Sequence, residues 1–418
     1  MSKTLAWGES IQVVLGIGIP VNIFTLNDPV LGLLDGVGVL DGNNEADVTE
    51  YVQSVSINRG RSDNFAQFST GSCSIQLLNT ARIFDPINTA SPFYDTSTNT
   101  SGITPKRSIK VVSNGIDLFT GKIQDIDIAY DIESISTLNI SSQDGFVELA
   151  TAIIESDITP SIEASGTRLE TILNLGEVNW TAGRDIDTGT QSLGAYPITT
   201  GTNVLGYCQQ IAEAEFSYLY VKGDGSIRFT DRIAAAFATS IAATFTDDGT
   251  DLSYETLGIT YGSEQLVNKV IASTQTGSTV TSDDLASQTT YGILTTDLTD
   301  LLLETDTQAQ TLADLIVAEY SEPKYRFDDI SVSYSKLSTP QQTTVSSIDL
   351  SEFIKVIRNF DSGSPTEVTQ VTRCESIRHT ITPAGHRVEL RLSPAVLVYP
   401  MILDDAIYGL LDNHNAVS

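Results

Sequence analysis

The chain has 418 residues, room for two or three compact units at roughly 150 residues each, so it can bury several cores without disulfide or metal staples. With 53 acidic against 23 basic residues the formal charge is 23 − 53 = −30, which repels phosphate backbones and argues against ordinary nucleic-acid binding. Hydrophobic residues at 40% and charged ones at 18% place that acidity on a folded body, not on a disordered acidic chain.

The most apolar region, Ile11 to Leu40, is broken by Pro20, Asn22, Asn27, Asp28 and Pro29, so it has no run of about 20 apolar residues able to span a membrane. Lys3 followed by Leu15, Ile17 and Ile19 imitates a secretory signal, but Trp7, Glu9 and Gln12 interrupt it and argue against export. Asp41, Asn43, Glu45 and Asp47 alternate like calcium ligands. That loop lacks glycine at its sixth position and an acid at its twelfth, so an acidic turn is the expected reading.

From there short alternating runs of Thr, Val, Ile, Tyr and Phe, cut by Gly, Asn, Asp and Ser, predict strands. The clearest hairpin is Ser108 to Thr120 around Asn114-Gly115, the pair that type I′ turns favour. Ile126, Ile128 and Tyr130 continue the alternation, Thr137 to Ser142 adds a strand, and Asp144 opens a short apolar segment.

The pattern then turns helical. Thr167-Arg168-Leu169-Glu170 fits a capping box, with Gly176 as the stop. A second helix is predicted from Asn203, its buried stripe being Val204, Cys208, Ile211 and Ala212. Phe216 to Val221 and Ser226 to Asp231 form a hairpin around Lys222-Gly223-Asp224-Gly225.

After Ala243 the strand pattern returns, at Leu257 to Tyr261, Leu266 to Ser273, Ile330 to Tyr334 and Arg387 to Leu392. Thr305-Asp306-Thr307-Gln308 is another capping box, and Ala309, Leu312, Ile316 and Tyr320 line one face until Pro323. The polar stretch Thr274 to Thr290 reads as a long loop or arm, ordered by a partner. Leu26 to Asp35 and Leu403 to Asp412 echo each other, which does not make a repeat protein.

Chemistry is sparse. Nucleophilic catalysis needs an oriented base, and the histidines are His379, His386 and His414; the first two flank Thr382-Pro383-Ala384-Gly385 on opposite arms of one hairpin. No nucleophile elbow, zinc-protease helix, Walker loop or dinucleotide fingerprint is present. The carboxylate pairs Asp125/Asp127, Asp185/Asp187 and Asp283/Asp284 read as solvated faces, and with Trp7 and Trp180 the only tryptophans a sugar cleft has little support. Cys73, Cys208 and Cys374 are odd in number and far apart, so burial is expected, not a disulfide or zinc site. No catalytic, cofactor-binding or metal-binding residue is assigned, and no cofactor is expected.

Several stretches nevertheless carry a resemblance. Ile103-Thr104-Pro105-Lys106-Arg107-Ser108-Ile109-Lys110-Val111-Val112, then Leu118-Phe119-Thr120-Gly121-Lys122-Ile123, then Asp144-Gly145-Phe146 follow in order. Ala212 to Arg232, Leu266-Val267-Asn268-Lys269-Val270, Ser287 with Tyr291-Gly292, and Arg326-Phe327-Asp328-Asp329-Ile330 continue the series. Together they resemble the baseplate hub, or tail hub, among the minor tail proteins of long-tailed, non-contractile bacteriophages. The small residue common after the acid at the end of the helical block is replaced here by Phe216 and Ser217 after Glu215.

The resemblance implies a mainly β fold with a small α+β part: two tail-tube-like β-barrels separated by a helix-plus-hairpin subdomain. The expected divisions are 1–155, 156–235, 236–400 with an inserted arm and helix, and a C-terminal segment 401–418. It implies a non-enzymatic homotrimer in the virion, at the tail tip, assembled in the host cytoplasm. Such a ring continues and caps the tube, meets the distal tail protein or tube and the tape-measure protein, holds central-fibre or receptor-binding proteins, and lets DNA pass without specific binding. The alternatives are a distal tail protein forming a hexamer from one barrel per chain, and a secreted calcium-dependent adhesive or carbohydrate-active β protein.

Overall fold

The structure, a computed structural model, describes residues 11–21, 43–62, 65–96, 98–130, 136–178, 180–238, 240–397, 399–400 and 415–416. Asp41, Trp7, His414 and the two echoing segments lie outside the described residues. The fold is mainly β with a small helical part, as the alternating pattern indicates.

A first curled sheet comes from β1 (Ile11–Val21), β2 (Asn43–Asp47), β3 (Val52–Gly60), β4 (Ser69–Leu78), β5 (Ser108–Ser113), β6 (Ile116–Tyr130) and β7 (Ser136–Gln143). They pair antiparallel throughout, in the order β3-β4-β7-β6-β5-β1-β2. Alternation along each strand sends Val13, Ile57, Ile75, Val111 and Ile140 into one core. The β5–β6 turn is the predicted one: Asn114 and Gly115 take φ values of 49° and 81°, which both central positions of a type I′ turn require. Gly121 is needed for another reason. A Cβ there would stand 2.3 Å from the Gln143 carbonyl oxygen, where β6 meets β7.

The middle segment holds α1 (Phe146–Thr151), α2 (Ser165–Leu173), β8 (Arg184–Ile186), α3 (Val204–Glu215), β9 (Leu219–Val221) and β10 (Ile227–Phe229). Asn203 caps α3 by accepting from the Gly206 N–H at 2.9 Å. The start of α2 differs from the sequence reading: it begins at Ser165 with no side-chain cap. Tertiary bonds fix it instead, the Ser165 hydroxyl donating to Glu215 and the Gly166 N–H to the Thr188 carbonyl. Its end also precedes Gly176, because Arg184 donates to the Leu173 carbonyl and to the Asn174 side chain.

A second curled sheet follows, from β11 (Ala243–Thr246), β12 (Leu252–Ser253), β13 (Thr256–Tyr261), then, after an insertion, β17 (Tyr325–Ser333), β18 (Phe353–Asn359), β19 (Glu367–Thr382) and β20 (Gly385–Pro394). The insertion contains β14 (Lys269–Thr274), β15 (Val280–Asp283), α4 (Leu285–Tyr291), β16 (Thr295–Leu301) and α5 (Asp306–Tyr320); α6 (Thr339–Ser347) links β17 to β18. The predicted loop over Thr274 to Thr290 is therefore a turn, a strand and a helix. Asp306 holds the turn through the Ser278 N–H and the Thr274 hydroxyl, and Asp284 caps α4 through the Ala286 and Ser287 N–H groups. The capping box at Thr305 forms as expected. Buried side chains of the middle segment, the insertion and the second sheet, such as Cys208, Leu312 and Leu390, share one hydrophobic cluster.

Candidate functional site

The second sheet repeats the first. Its order is β13-β17-β20-β19-β18-β11-β12, which is the order β3-β4-β7-β6-β5-β1-β2 with each strand replaced by its successor in the same chain rank. Five of the seven, β13, β17, β20, β19 and β18, also keep the antiparallel sense of their counterparts. Strand β11 departs, running parallel to β18, whereas β1 is antiparallel to β5.

The likeness extends to defects in the ladder. The β6–β7 register skips at Gln124, between the pairs Ile123–Ser142 and Asp125–Ser141; the β19–β20 register skips at Glu375, between Cys374–Leu392 and Ser376–Arg391. Just before each bulge the chain is held the same way. Ile123 bonds the Arg107 carbonyl and the Lys106 N–H, and Cys374 bonds the Glu352 carbonyl and the Ser351 N–H. Lys106 and Ser351 both sit at positive φ, 69° and 62°, which is uncommon for residues with a Cβ. This repeated placement of bulges marks a built feature.

The two sheets meet where β19 outruns β18. Residues Glu367 to Arg373 of β19 pair with β18, while Ser376 to Ile381 pair antiparallel with β3, from Gly60 to Val55. The sheets thereby join into one of 14 strands. Beneath the join lies a buried ionic cluster. Arg61 donates its Nε–H to Glu375 at 2.6 Å, and Arg59 pairs with Asp349 at 2.8 Å. Arg61 lies over the rings of Phe68 and Tyr218, and Arg373 over Tyr218 and Phe353. Burial opposes the charged form of Glu375, but Arg61, and further off Arg373, outweigh it and lower its pKa. Asp144, first residue of the Asp-Gly-Phe motif, accepts from the Gly71 and Phe146 N–H groups; burial pushes it up to about 7 against those two bonds and Arg59.

A second buried polar group sits at the end of the β19–β20 hairpin, where both histidines fall on facing arms as predicted. His379 Nδ1 and His386 Nε2 are 2.9 Å apart, and the Tyr334 ring packs on His386 at 4.2 Å. The Tyr334 hydroxyl joins Ser113, Asn114 and Ser346. Burial, then His386 and Arg59, holds His379 well below the ordinary imidazole range. Through the Tyr334 hydroxyl the group ties the β5–β6 turn to α6.

The remaining residues singled out in the sequence are paired, buried or on an exposed face. Asp185 and Asp187 face Arg228, Asp283 faces Lys269, and Asp125 and Asp127 lie on the exposed face of β6. Asp47 accepts from Gln12 and Thr49. Cys73, Cys208 and Cys374 are buried and unpaired with one another, burial pushing the first two thiols up to about 12. Among the described residues no group of three or more His, Cys, Asp or Glu is placed to hold a metal ion. An open cleft of about 400 Å³ is lined by Lys106, Lys122, Glu148 and Glu177, where Lys122 and Glu148 form an ion pair. Among the described residues no helix is long and apolar enough to cross a membrane.

The sequence names Glu215 and Asn268 only within the family-like stretches and gives no sign of their bonding roles. Glu215 accepts from Ser165, Thr190, Gln191 and Arg232, and Phe216 after it takes the left-handed conformation that ends α3, the place of the departure from the hub pattern. Asn268 bonds Ser287, Gly292 and Leu294, which explains Leu266-Val267-Asn268-Lys269-Val270 as a knot under α4.

No protein-family model matches the chain, and no curated protein does. Among solved structures it is similar to the 43 kDa tail protein of prophage MuSo2 from Shewanella oneidensis, with a TM-score of 0.58 and 12% identity, over 92% of this chain and 98% of that one. It is also similar to the tail protein from Neisseria meningitidis MC58, with a TM-score of 0.55 and 14% identity, over 91% of this chain and 96% of that one. The chain has the fold of phage tail proteins.

Proposed function

We propose that the chain is a structural, non-catalytic component of a long-tailed phage's tail: the hub subunit at the tail tip. Three copies make a ring that continues and caps the tube, adjoins the distal tail protein or tube and the tape-measure protein, anchors central-fibre or receptor-binding proteins, and opens for the genome. The observation that carries this reading is the doubled sheet. Three chains with two equivalent sheets each offer six similar surfaces to a sixfold tube, and a closed ring of this kind needs a rotation that closes. One sheet per chain, as a hexameric distal tail protein has, is the poorer fit to this topology. Acidity supports the same reading, since a surface of charge −30 per chain repels a passing polyanion. Assembly in the host cytoplasm and residence in the virion follow.

The test is an image reconstruction of the assembled tail tip. Three copies per ring, each with both sheets facing the tube, is the expected result. Six copies would favour the distal tail protein.

A further inference from the structure

The join between β3 and β19 has a counterpart position that is unfilled within the described chain. By the matched ladders, β6 corresponds to β19, with Gln124 matching Glu375, and β13 corresponds to β3. Within the chain, β3 fills the edge of β19 past its bulge. Past its own bulge β6 runs on to Tyr130 with β7 on one side and, among the described residues, no strand on the other. Strand β13, for its part, pairs among the described residues with β17 alone. Among the described residues this leaves two half-junctions, complementary in kind.

Register follows from the ladders. Gly258 faces Asp329 and Asp329 faces Arg391, while Ser56 faces Ser74 and Ser74 faces Ser141; Arg391 and Ser141 each follow the bulge. Leu257, Ile259 and Tyr261 therefore stand where Val55, Ile57 and Arg59 stand. On the other strand Tyr130, Ile128 and Ile126 stand where Ile381, His379 and Ile377 do. At the filled junction those positions are buried, with Val55, Ile57 and Ile381 at 1%, 0% and 2% exposure. At the unfilled one Ile259, Tyr261 and Tyr130 are 38%, 69% and 56% exposed. Tyr130 is already oriented, its hydroxyl bonded to Asp85. An unpaired strand edge carrying exposed apolar side chains is a template for another strand.

We propose that β13 of one copy of this chain adds as an antiparallel strand to the far end of β6 in a second copy, setting Leu257 opposite Tyr130, Ile259 opposite Ile128 and Tyr261 opposite Ile126. The inference rests on the trimeric reading above and specifies its interface: three such contacts alternate with three β3–β19 joins. The contact is head-to-tail, so it propagates until the ring closes.

Two single variants, Tyr130→Cys and Leu257→Cys, are mixed at high protein concentration and oxidised, with sedimentation of the unmodified chain run in parallel. Directly opposed Cα atoms in an antiparallel ladder lie about 4.5–5.5 Å apart, within the roughly 4.4–6.8 Å that a disulfide spans. The expected result is a covalent dimer from the mixture but not from either variant alone, and covalent trimers from the double variant. Tyr261→Lys, at an exposed position that tolerates folding, should weaken association roughly tenfold or more. Trimers that form without the cross-link, and are indifferent to Tyr261→Lys, would overturn this junction and leave the hub reading standing. Covalent rings of six would keep the junction and overturn the trimer. A chain that never self-associates, alone or with tube, would overturn both.

Discussion

Arg61 and Glu375 lie 314 residues apart in sequence and 2.6 Å apart in space, with both side chains buried, one following β3 and the other at the bulge of β19. The pair closes the join between the sheets: Glu375 also accepts from Ser393, and the Arg61 N–H bonds the Glu375 carbonyl. Removing one member strands a buried charge. Arg61→Met should therefore cost about 3–5 kcal/mol, whereas Lys324→Met, which breaks the exposed pair with Glu319, should cost about 1 kcal/mol or less. Urea midpoints of the two variants give the comparison, and equal midpoints would show that the join is not held by this pair.

Leu312 is fully buried on α5 among Ala309, Ala313 and Ile316. Leu312→Ala should cost about 2–5 kcal/mol, from lost transfer free energy and the cavity left behind. A denaturation midpoint unchanged from the parent would contradict the packing of α5 against β14 and β15.

Local signals carried much of this fold into the sequence. Asn114-Gly115, the Thr305 box, the Asn203 cap and the facing histidines each depend on a few adjacent residues. What stayed hidden depends on pairs far apart. The matching of β6 with β19 lies in ladder order and bulge position, while the residues themselves differ: Gly121 corresponds to Thr372, and Lys122 to Arg373. Strand β15 was hidden by its Thr and Ser content, since its alternation places only Val280 and Ser282 partly inward against α5. Arg59 gave no sign of burial, because its partner Asp349 is supplied by the distant α6–β18 link.

Two buried groups should set opposite pH slopes. His379 has a depressed native pKa, so below the unfolded value of about 6.5 the unfolded chain takes up a proton that the native one refuses, and stability falls as pH falls. Asp144 is raised from 3.8 to about 7, so between those values the native chain holds a proton that the unfolded one releases, and stability rises as pH falls. Asp144→Asn removes the second slope. It also sets an amide NH₂ against the Gly71 or Phe146 N–H, at about 1–3 kcal/mol. The variant should lose stability more steeply than the parent below about pH 6.5. Identical slopes would mean that its two N–H donors keep Asp144 ionised.

Assembly should respond to salt in the opposite sense to an interface built from ion pairs. Three chains carry 3 × (−30) = −90 formal charges, and their mutual repulsion extends over a Debye length of about 30 Å at 0.01 M salt but only about 10 Å at 0.1 M. The proposed β13–β6 contact offers no compensating attraction. Its apolar face holds Leu257, Ile259, Tyr261 and their partners, and its other face sets Thr260 against Asp127 where the filled junction sets Asn58 against Arg378. Screening therefore removes repulsion and breaks no cross-chain ion pair. Sedimentation across a sodium chloride series should show the trimer fraction rising with salt, while a chain stripped of the apolar contact by Tyr261→Lys stays dissociated for longer. A trimer that dissolves as salt is added would mean that opposite charges hold the ring, and the β13–β6 register would have to be abandoned for a face carrying lysine or arginine.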